Sequence, residues 1–221
     1  MEAIVLKQFV VIGLGRFGLS LAKTLYDLGH DVLGIDIDEE IVQNVVDSIT
    51  HAVKADATDE NVLKALGVRN FDVAVVSIGN DIQASILVTL ILKEMGIKYV
   101  VAKAQNELHG KVLYKIGADR IVFPERDMGI RVAHNLTLSN ILDYIELSPE
   151  YSIIEISAIS PWFNKSLSQL NMRRKYGLNV IAIKRDGDVM ISPNGDDVIL
   201  KGDVLAVVGQ KHDIENMEKH L

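Results

Sequence analysis

Apolar positions fall in two different rhythms along this chain. Up to about residue 140, short β-branched runs alternate with longer runs of helical period. The short runs are Phe9–Ile12, Asp31–Ile35, Ala52–Ala55, Val73–Ser77, Tyr99–Ala102 and Arg120–Phe123. Between them stand Phe17–Leu28, Glu39–Ser48, Asn61–Leu66, Ile82–Met95 and Leu108–Ile116. Gly29, Gly67, Gly96 and Gly117 follow four of these runs, where a helix commonly ends in the left-handed region. Regular strand–helix alternation predicts an α/β fold built on a parallel sheet. Six strands with right-handed crossovers suit the doubly wound order 3-2-1-4-5-6.

Pro124 opens another helical run, through Leu138 and on towards Ile145, with Glu125 and Asp127 near its positive end. Ser148-Pro149 breaks the chain, and the rhythm changes. Ser152–Ile159 alternates polar and apolar residues like a half-exposed strand. Ser166–Tyr176 has helical period and stops at Gly177. Val180–Lys184, Val189–Ser192 and Val204–Gly209 predict three more strands, with turns at Asp186-Gly187 and Asn194-Gly195. Asp213–His220 predicts a short closing helix. The expected organisation is a doubly wound domain with a crossover helix over residues 1–138, then a small α+β domain over 139–221.

Composition narrows the function. The 221 residues carry a net charge of −7, which argues against a nucleic-acid partner. No stretch approaches the ~18 consecutive apolar residues of a membrane span, so direct membrane insertion is not expected. Residues 1–7 lack the features of a secretory signal. Cysteine is absent, which removes disulfides, Cys-metal sites and a thiol nucleophile.

The chemistry concentrates at Gly13-Leu14-Gly15-Arg16-Phe17-Gly18, between the first predicted strand and the first predicted helix. Together with Asp36 after the second strand, this is the dinucleotide-binding fingerprint. Gly13 allows the tight turn, Gly15 lets a pyrophosphate approach the backbone, and Gly18 lets the helix pack on the sheet. Asp36 is placed to accept ribose hydroxyls and to repel a 2′-phosphate. Ile37 adjoins it, and Asp38 is the better helix cap before Glu39. Asp56-Ala57-Thr58 follows the third strand, either beside an adenine ring or as a cap for the next helix. Ile78-Gly79-Asn80 follows the fourth strand at the topological switch point, either as a backbone approach site or as an ordinary turn. Arg16 favours a ligand rich in phosphate charge, since a cation at a helix start is otherwise unfavourable. Lys103, at the end of the fifth strand, is either a second phosphate contact or a surface lysine.

No catalytic constellation accompanies this turn. The six histidines show no metal-binding spacing. There is no nucleophile elbow and no Walker A pattern. The balance favours a non-enzymatic nucleotide sensor. The alternative is a small NAD-dependent oxidoreductase using His109 or Lys103 as acid or base.

Several runs carry a family resemblance. They are Gln8–Gly18, Ala55–Asp59, Asn80–Ser85, Val101–Asn106, the distinctive Lys115–Met128, and Arg174-Lys175-Tyr176-Gly177. The chain resembles the cytosolic regulatory subunits of Ktr/Trk-type bacterial potassium uptake systems, the regulator-of-potassium-conductance (RCK) proteins. That resemblance implies a Rossmann-like lobe, a crossover helix and a C-terminal lobe. It implies homodimers that assemble into an octameric ring beneath an integral-membrane potassium transporter, at the cytoplasmic face. It implies ATP or ADP, or NAD or NADH, in the first lobe, and with ATP a divalent cation, magnesium or calcium. Arg16 then contacts phosphate, and Asp36, Asp56 and Ile78-Gly79-Asn80 contact adenosine. Glu125 becomes an intersubunit contact near the γ-phosphate and the cation. Some relatives bind cyclic di-AMP in the C-terminal lobe, where Arg173, Asn179, Val180, Ile181 and Pro193 are the matching positions.

Overall fold

The computed structural model describes residues 6–137 and 141–218. They divide into two compact units, one ending at Pro124 and the other beginning at Glu125. The expected domain boundary at Leu138 and Ser139 lies outside the described residues, as do His220 and the end of the closing helix.

The first unit has six parallel strands: β1 (Gln8–Ile12), β2 (Asp31–Asp36), β3 (His51–Lys54), β4 (Val73–Val76), β5 (Tyr99–Lys103) and β6 (Arg120–Val122). Their spatial order is β3-β2-β1-β4-β5-β6, the doubly wound order expected. The helices are α1 (Arg16–Asp27), α2 (Glu39–Gln43), α3 (Glu60–Ala65), α4 (Ile82–Glu94) and α5 (Glu107–Lys115). Helix α2 is shorter than its apolar period suggested; after Gln43 the chain continues in turns, with Val45 and Ile49 still buried. The four predicted helix-ending glycines all have positive φ, from 67° to 102°.

Alternate residues of the central strands feed two separate cores. Val10, Ile12, Leu33, Ile35, Ala74 and Val76 join Leu63, Val88, Leu92 and Leu113 on one face. Val11, Val32 and Val75 join Ala22, Val45 and Ile49 on the other. Burial on both faces is why these strands read as continuous apolar runs. It also leaves the carboxyl ends of the strands as the rim where loops gather.

The second unit begins in α6 (Pro124–Thr137), and Pro124 sits at the helix start as expected. Five antiparallel strands follow in the order β11-β10-β13-β8-β7. These are β7 (Ile141–Glu146), β8 (Tyr151–Ser157), β10 (Asn179–Arg185), β11 (Asp188–Ile191) and β13 (Val204–Gln210). A small pair joins β9 (Lys165–Ser166) to β12 (Val198–Ile199). Helices α7 (Leu167–Leu170), α8 (Met172–Tyr176) and α9 (Lys211–Glu218) complete the unit. Ile154, Ile156, Ile183, Leu205 and Val207 face a core that includes Trp162, Leu178 and Ile214.

Two expectations are corrected here. The run towards Ile145 is not helical: Ile141–Glu146 pairs with β8 as an antiparallel strand. A register shift between Ile141 and Asp143 places Ile141 and Tyr144 on the buried side, three residues apart. A bulge therefore produces a helix-like spacing in a strand. The Ser166–Tyr176 run is two short helices, because Asn171 adopts the left-handed conformation (φ 47°, ψ 46°) between them. Asp186-Gly187 is the expected turn, with φ of 50° and 93°, closing the β10–β11 hairpin between Arg185 and Asp188.

Candidate nucleotide site

The β1–α1 turn sits on the carboxyl rim of the first sheet. Gly13 has φ +90°, and its N–H donates to the Ile35 carbonyl at 2.8 Å. A Cβ on Gly13 would stand 3.0 Å from Ile78 N, so the first glycine is packed against the β4 end. A Cβ on Gly18 would overlap the Gly13 carbonyl oxygen and Ser77 Oγ. Ser77 is buried, and its hydroxyl donates to the Gly13 carbonyl, with the Ile12 carbonyl also 3.1 Å away. The protein's own packing therefore demands glycine at 13 and 18.

Gly15 differs. Its φ of −62° is open to any residue, and a Cβ there would meet nothing within 4 Å. Nothing inside the protein requires glycine, so the constraint points outward, to whatever approaches the backbone. The neighbouring helix ends reinforce this. Asp38, Asp59, Asp81 and Asn106 cap α2, α3, α4 and α5 through their side chains. Helix α1 has Gly15 at its cap position, no side-chain cap and no acid in its first turn. Its first N–H groups and dipole are left for an external anion. Arg16 is exposed at that start.

Asp36 ends β2 beside the turn. Its Oδ2 accepts Leu14 N–H at 2.6 Å and its Oδ1 accepts Asp38 N–H at 2.9 Å. A carboxylate has about four acceptor sites, so room for ribose hydroxyls remains. Ile37, 67% exposed, presents an apolar face next to it. Asp38 is occupied as a cap, accepting Glu40 N–H at 2.9 Å. The alternative left open for Asp56–Thr58 divides cleanly: Asp59 is the cap of α3. Asp56 instead accepts both the Thr58 hydroxyl (2.6 Å) and the Thr58 N–H (2.9 Å). Those two bonds hold the Asp56 carboxyl below the usual carboxylate range despite an opposing desolvation. Ala57 is buried beneath it.

Across the switch point, Ile78 and Gly79 are half-buried and Asn80 is exposed. The Lys103 ammonium lies 5.9 Å from the Phe17 ring centroid and 3.7 Å from where a Gly79 Cβ would stand. The rim thus gathers the glycine turn, Asp36-Ile37-Asp38, the Asp56 turn, the Ile78–Asn80 turn and Lys103 on adjoining strand ends. Sequence reasoning passed over two residues, Ser77 as a positioning group and Gln105, whose side chain donates to the Gly79 carbonyl. Each lies in a run singled out in the sequence, but its role comes from a contact distant in sequence. His109 is 2% exposed, which removes it as an acid or base open to substrate.

In the second unit, Arg173, Asn179, Val180 and Pro193 line one groove of about 250 Å³, with Ser168 and Asn171 beside them. Ile181 is not among its lining residues. It is the extra residue of a bulge between Val180 and Ala182 in the β10–β13 pairing. Glu125 stands exposed in the first turn of α6. Among the described residues, no three His, Asp or Glu side chains gather as a metal site. The described residues also include no helix long and apolar enough to cross a membrane.

The TrkA-N domain model matches residues 9–124, and the TrkA-C domain model matches 151–221. The chain belongs to the TrkA family. The TrkA-N match ends at the last residue of the first compact unit. Among relatives of this TrkA-type chain, the Ktr system potassium uptake protein C of Bacillus subtilis is 53% identical over 215 residues, 97% of both chains. The Ktr system potassium uptake protein A of Vibrio alginolyticus is 39% identical, over 97% of this chain and 98% of its own. The resemblance read from the sequence is therefore confirmed. These relatives are potassium uptake proteins, and the oxidoreductase alternative falls away. The fold is shared with the GsuK channel (TM-score 0.71, 18% identity, 99% of this chain), of which this chain spans 40%.

Proposed function

We propose that this protein is the cytoplasmic, nucleotide-sensing regulatory subunit of a Ktr-type potassium transporter, without catalysis of its own. One observation carries the nucleotide: α1 is the helix among α1–α5 that lacks a side-chain cap, and it begins at a glycine that internal packing does not require. Its N–H groups take a phosphate chain, and Arg16 adds a charge-assisted contact to the distal phosphates. Asp36 accepts the ribose hydroxyls. Asp56 and the Ile78-Gly79-Asn80 turn flank the adenosine. Lys103 supports the phosphates from β5. When bound, the nucleotide supplies charge and reach, and no bond in it need break.

ATP and ADP are the ligands this reading favours, with NAD or NADH as competitors at the same rim. The subunit forms homodimers that assemble into an octameric ring on an integral-membrane partner. Support comes from α6, which exposes Met128, Val132 and Leu136 at four-residue spacing along one face, a stripe that association would cover. Glu125 of that helix takes the divalent cation, magnesium or calcium, together with the γ-phosphate across the dimer. ADP lacks that group, so the two nucleotides stabilise different ring shapes, as differential binding requires. The Arg173 groove is the cyclic di-AMP site, and its guanidinium suits a phosphodiester.

The test is calorimetry with ATP, ADP, NAD and NADH on the intact chain, paired with solution scattering. ATP and ADP should compete for one site and give different ring dimensions. Identical scattering with each nucleotide bound would overturn the sensing mechanism, and no binding of any would overturn the site.

A further inference from the structure

Gln105, inside the Val101–Asn106 run, and His109 have no role in the nucleotide site as assigned from sequence. Gln105 is exposed in the loop after β5, and its side-chain amide donates to the carbonyl of Gly79 in the switch-point turn. Only the NH₂ end can face a carbonyl oxygen, which sets the orientation of that amide. The Gln105 main-chain N–H in turn donates to Nδ1 of His109 at 3.3 Å. His109 is held by its own helix, its N–H donating to the Asn106 cap at 2.9 Å.

The cost of this arrangement argues for a purpose. With Nδ1 accepting, the proton of the neutral ring sits on Nε2. That N–H is buried and has no partner among the described residues. An unpaired buried donor is destabilising, and an apolar side chain of similar volume would avoid it. Burial disfavours the charged ring, which keeps Nδ1 available as an acceptor. The residue buys nothing for packing that leucine would not supply.

The turn it reaches is central to the rim. Its Ile78 N packs against Gly13, and the preceding residue, Ser77, bonds to the Gly13 carbonyl. A continuous set of contacts therefore runs from the first fingerprint glycine through the 77–79 turn and Gln105 to the buried His109 in the first turn of α5.

We propose that Gln105 and His109 are positioning residues that hold the Ile78–Asn80 turn in its nucleotide-binding geometry, so that α5 and the glycine turn respond to the ligand together. This rests on the nucleotide reading above. His109 orients the Gln105 backbone, and Gln105 fixes the Gly79 carbonyl, which points the remaining groups of the turn at the ligand.

The experiment measures ATP and ADP affinity by calorimetry, and melting of the ligand-free protein, in the full chain and in Q105E, H109L and H109N. Glutamate is isosteric but sets an acceptor against the Gly79 carbonyl. Leucine removes the ring acceptor, and asparagine restores an acceptor at the place of Nδ1. Q105E and H109L should each weaken nucleotide binding about tenfold, the scale of one lost hydrogen bond to a positioned group. Ligand-free melting of Q105E should stay near wild type, and H109N should recover most of the affinity lost in H109L. Amide exchange of residues 78–82 should be faster in nucleotide-bound Q105E than in bound wild type. Wild-type affinity in both Q105E and H109L, or a loss in H109L that H109N does not recover, would overturn the proposal while leaving the nucleotide site standing. A wild-type chain that binds no nucleotide would overturn the functional reading first.

Discussion

The two units hold charge in different ways. At the rim of the parallel sheet the positive elements are mostly main chain: the uncapped start of α1 and the glycine turn packed on Ser77 and Ile78. The antiparallel unit relies on side-chain charge. Arg185 makes paired bonds to Asp203 at 2.7 Å, Arg131 reaches Asp143 at 2.6 and 2.8 Å, and Lys184 pairs with Glu155. Arg173 faces the groove. Main-chain dipoles do not titrate and are disturbed by a misplaced carbon atom. Side-chain charges titrate, respond to salt, and are removed by one substitution. The rim of the first sheet and the charged pairs of the second unit should therefore feel different perturbations, although the first unit also carries ion pairs away from its rim, such as Lys93–Asp119.

The largest effect belongs to the main-chain rim. Gly18→Ala places a methyl on the Gly13 carbonyl and on Ser77 Oγ, neither of which can withdraw freely. We expect about 3 kcal/mol of destabilisation in the first unit and loss of nucleotide binding, read by thermal melting and calorimetry. A stable, nucleotide-binding G18A protein would break the account of the turn.

Next comes the side-chain unit. Asp203 is 1% exposed, and Arg185 holds its carboxyl below the usual range, aided by Leu200 N–H against the cost of burial. Because the folded value is depressed, this stability is present above the unfolded carboxyl pKa of about 3.9 and is lost as pH falls below it. Melting of the second unit should therefore weaken below about pH 4. Asp203→Ala should cost about 2 kcal/mol at neutral pH, since the half-exposed guanidinium keeps some hydration. A D203A protein with the wild-type acid profile would show that the pair is not the source.

The smallest expected change in stability gives the sharpest separation. Gly15→Ala should alter ligand-free stability by about 1 kcal/mol or less, because its methyl meets open space. Its nucleotide affinity should fall about tenfold or more, while anion binding in the groove is unchanged. Arg173→Ala should do the reverse, weakening cyclic di-AMP binding and lowering its salt dependence while leaving ATP alone. Any crossing of these effects, measured by calorimetry at two salt concentrations, would erase the distinction between the sites.

Much of the first unit was legible because its strands are buried on both faces and its helices end at glycines. The second unit was less so, for local reasons. The bulge near Leu142 gave β7 a helical spacing, and the left-handed Asn171 broke a run that looks continuous. The strands β9 and β12 have two residues each, too few to show a period. The site follows the same division. Gly13, Gly15, Gly18 and Asp36 announced themselves by spacing, whereas Ser77, Gln105 and His109 did not.

The sequence by itself determined the order of strands and helices, the place of the glycine turn and the acid that accompanies it. Those depend on periodicity and on residues near one another along the chain. Only the tertiary structure decided which glycines the protein needs for itself and which it leaves for a ligand. It alone separated the capping role of Asp59 from the Asp56 turn closed on Thr58, and tied Gln105 to Gly79. The reason is physical: each of these turns on where the backbone and the side chains lie in three dimensions, through contacts that no local pattern encodes.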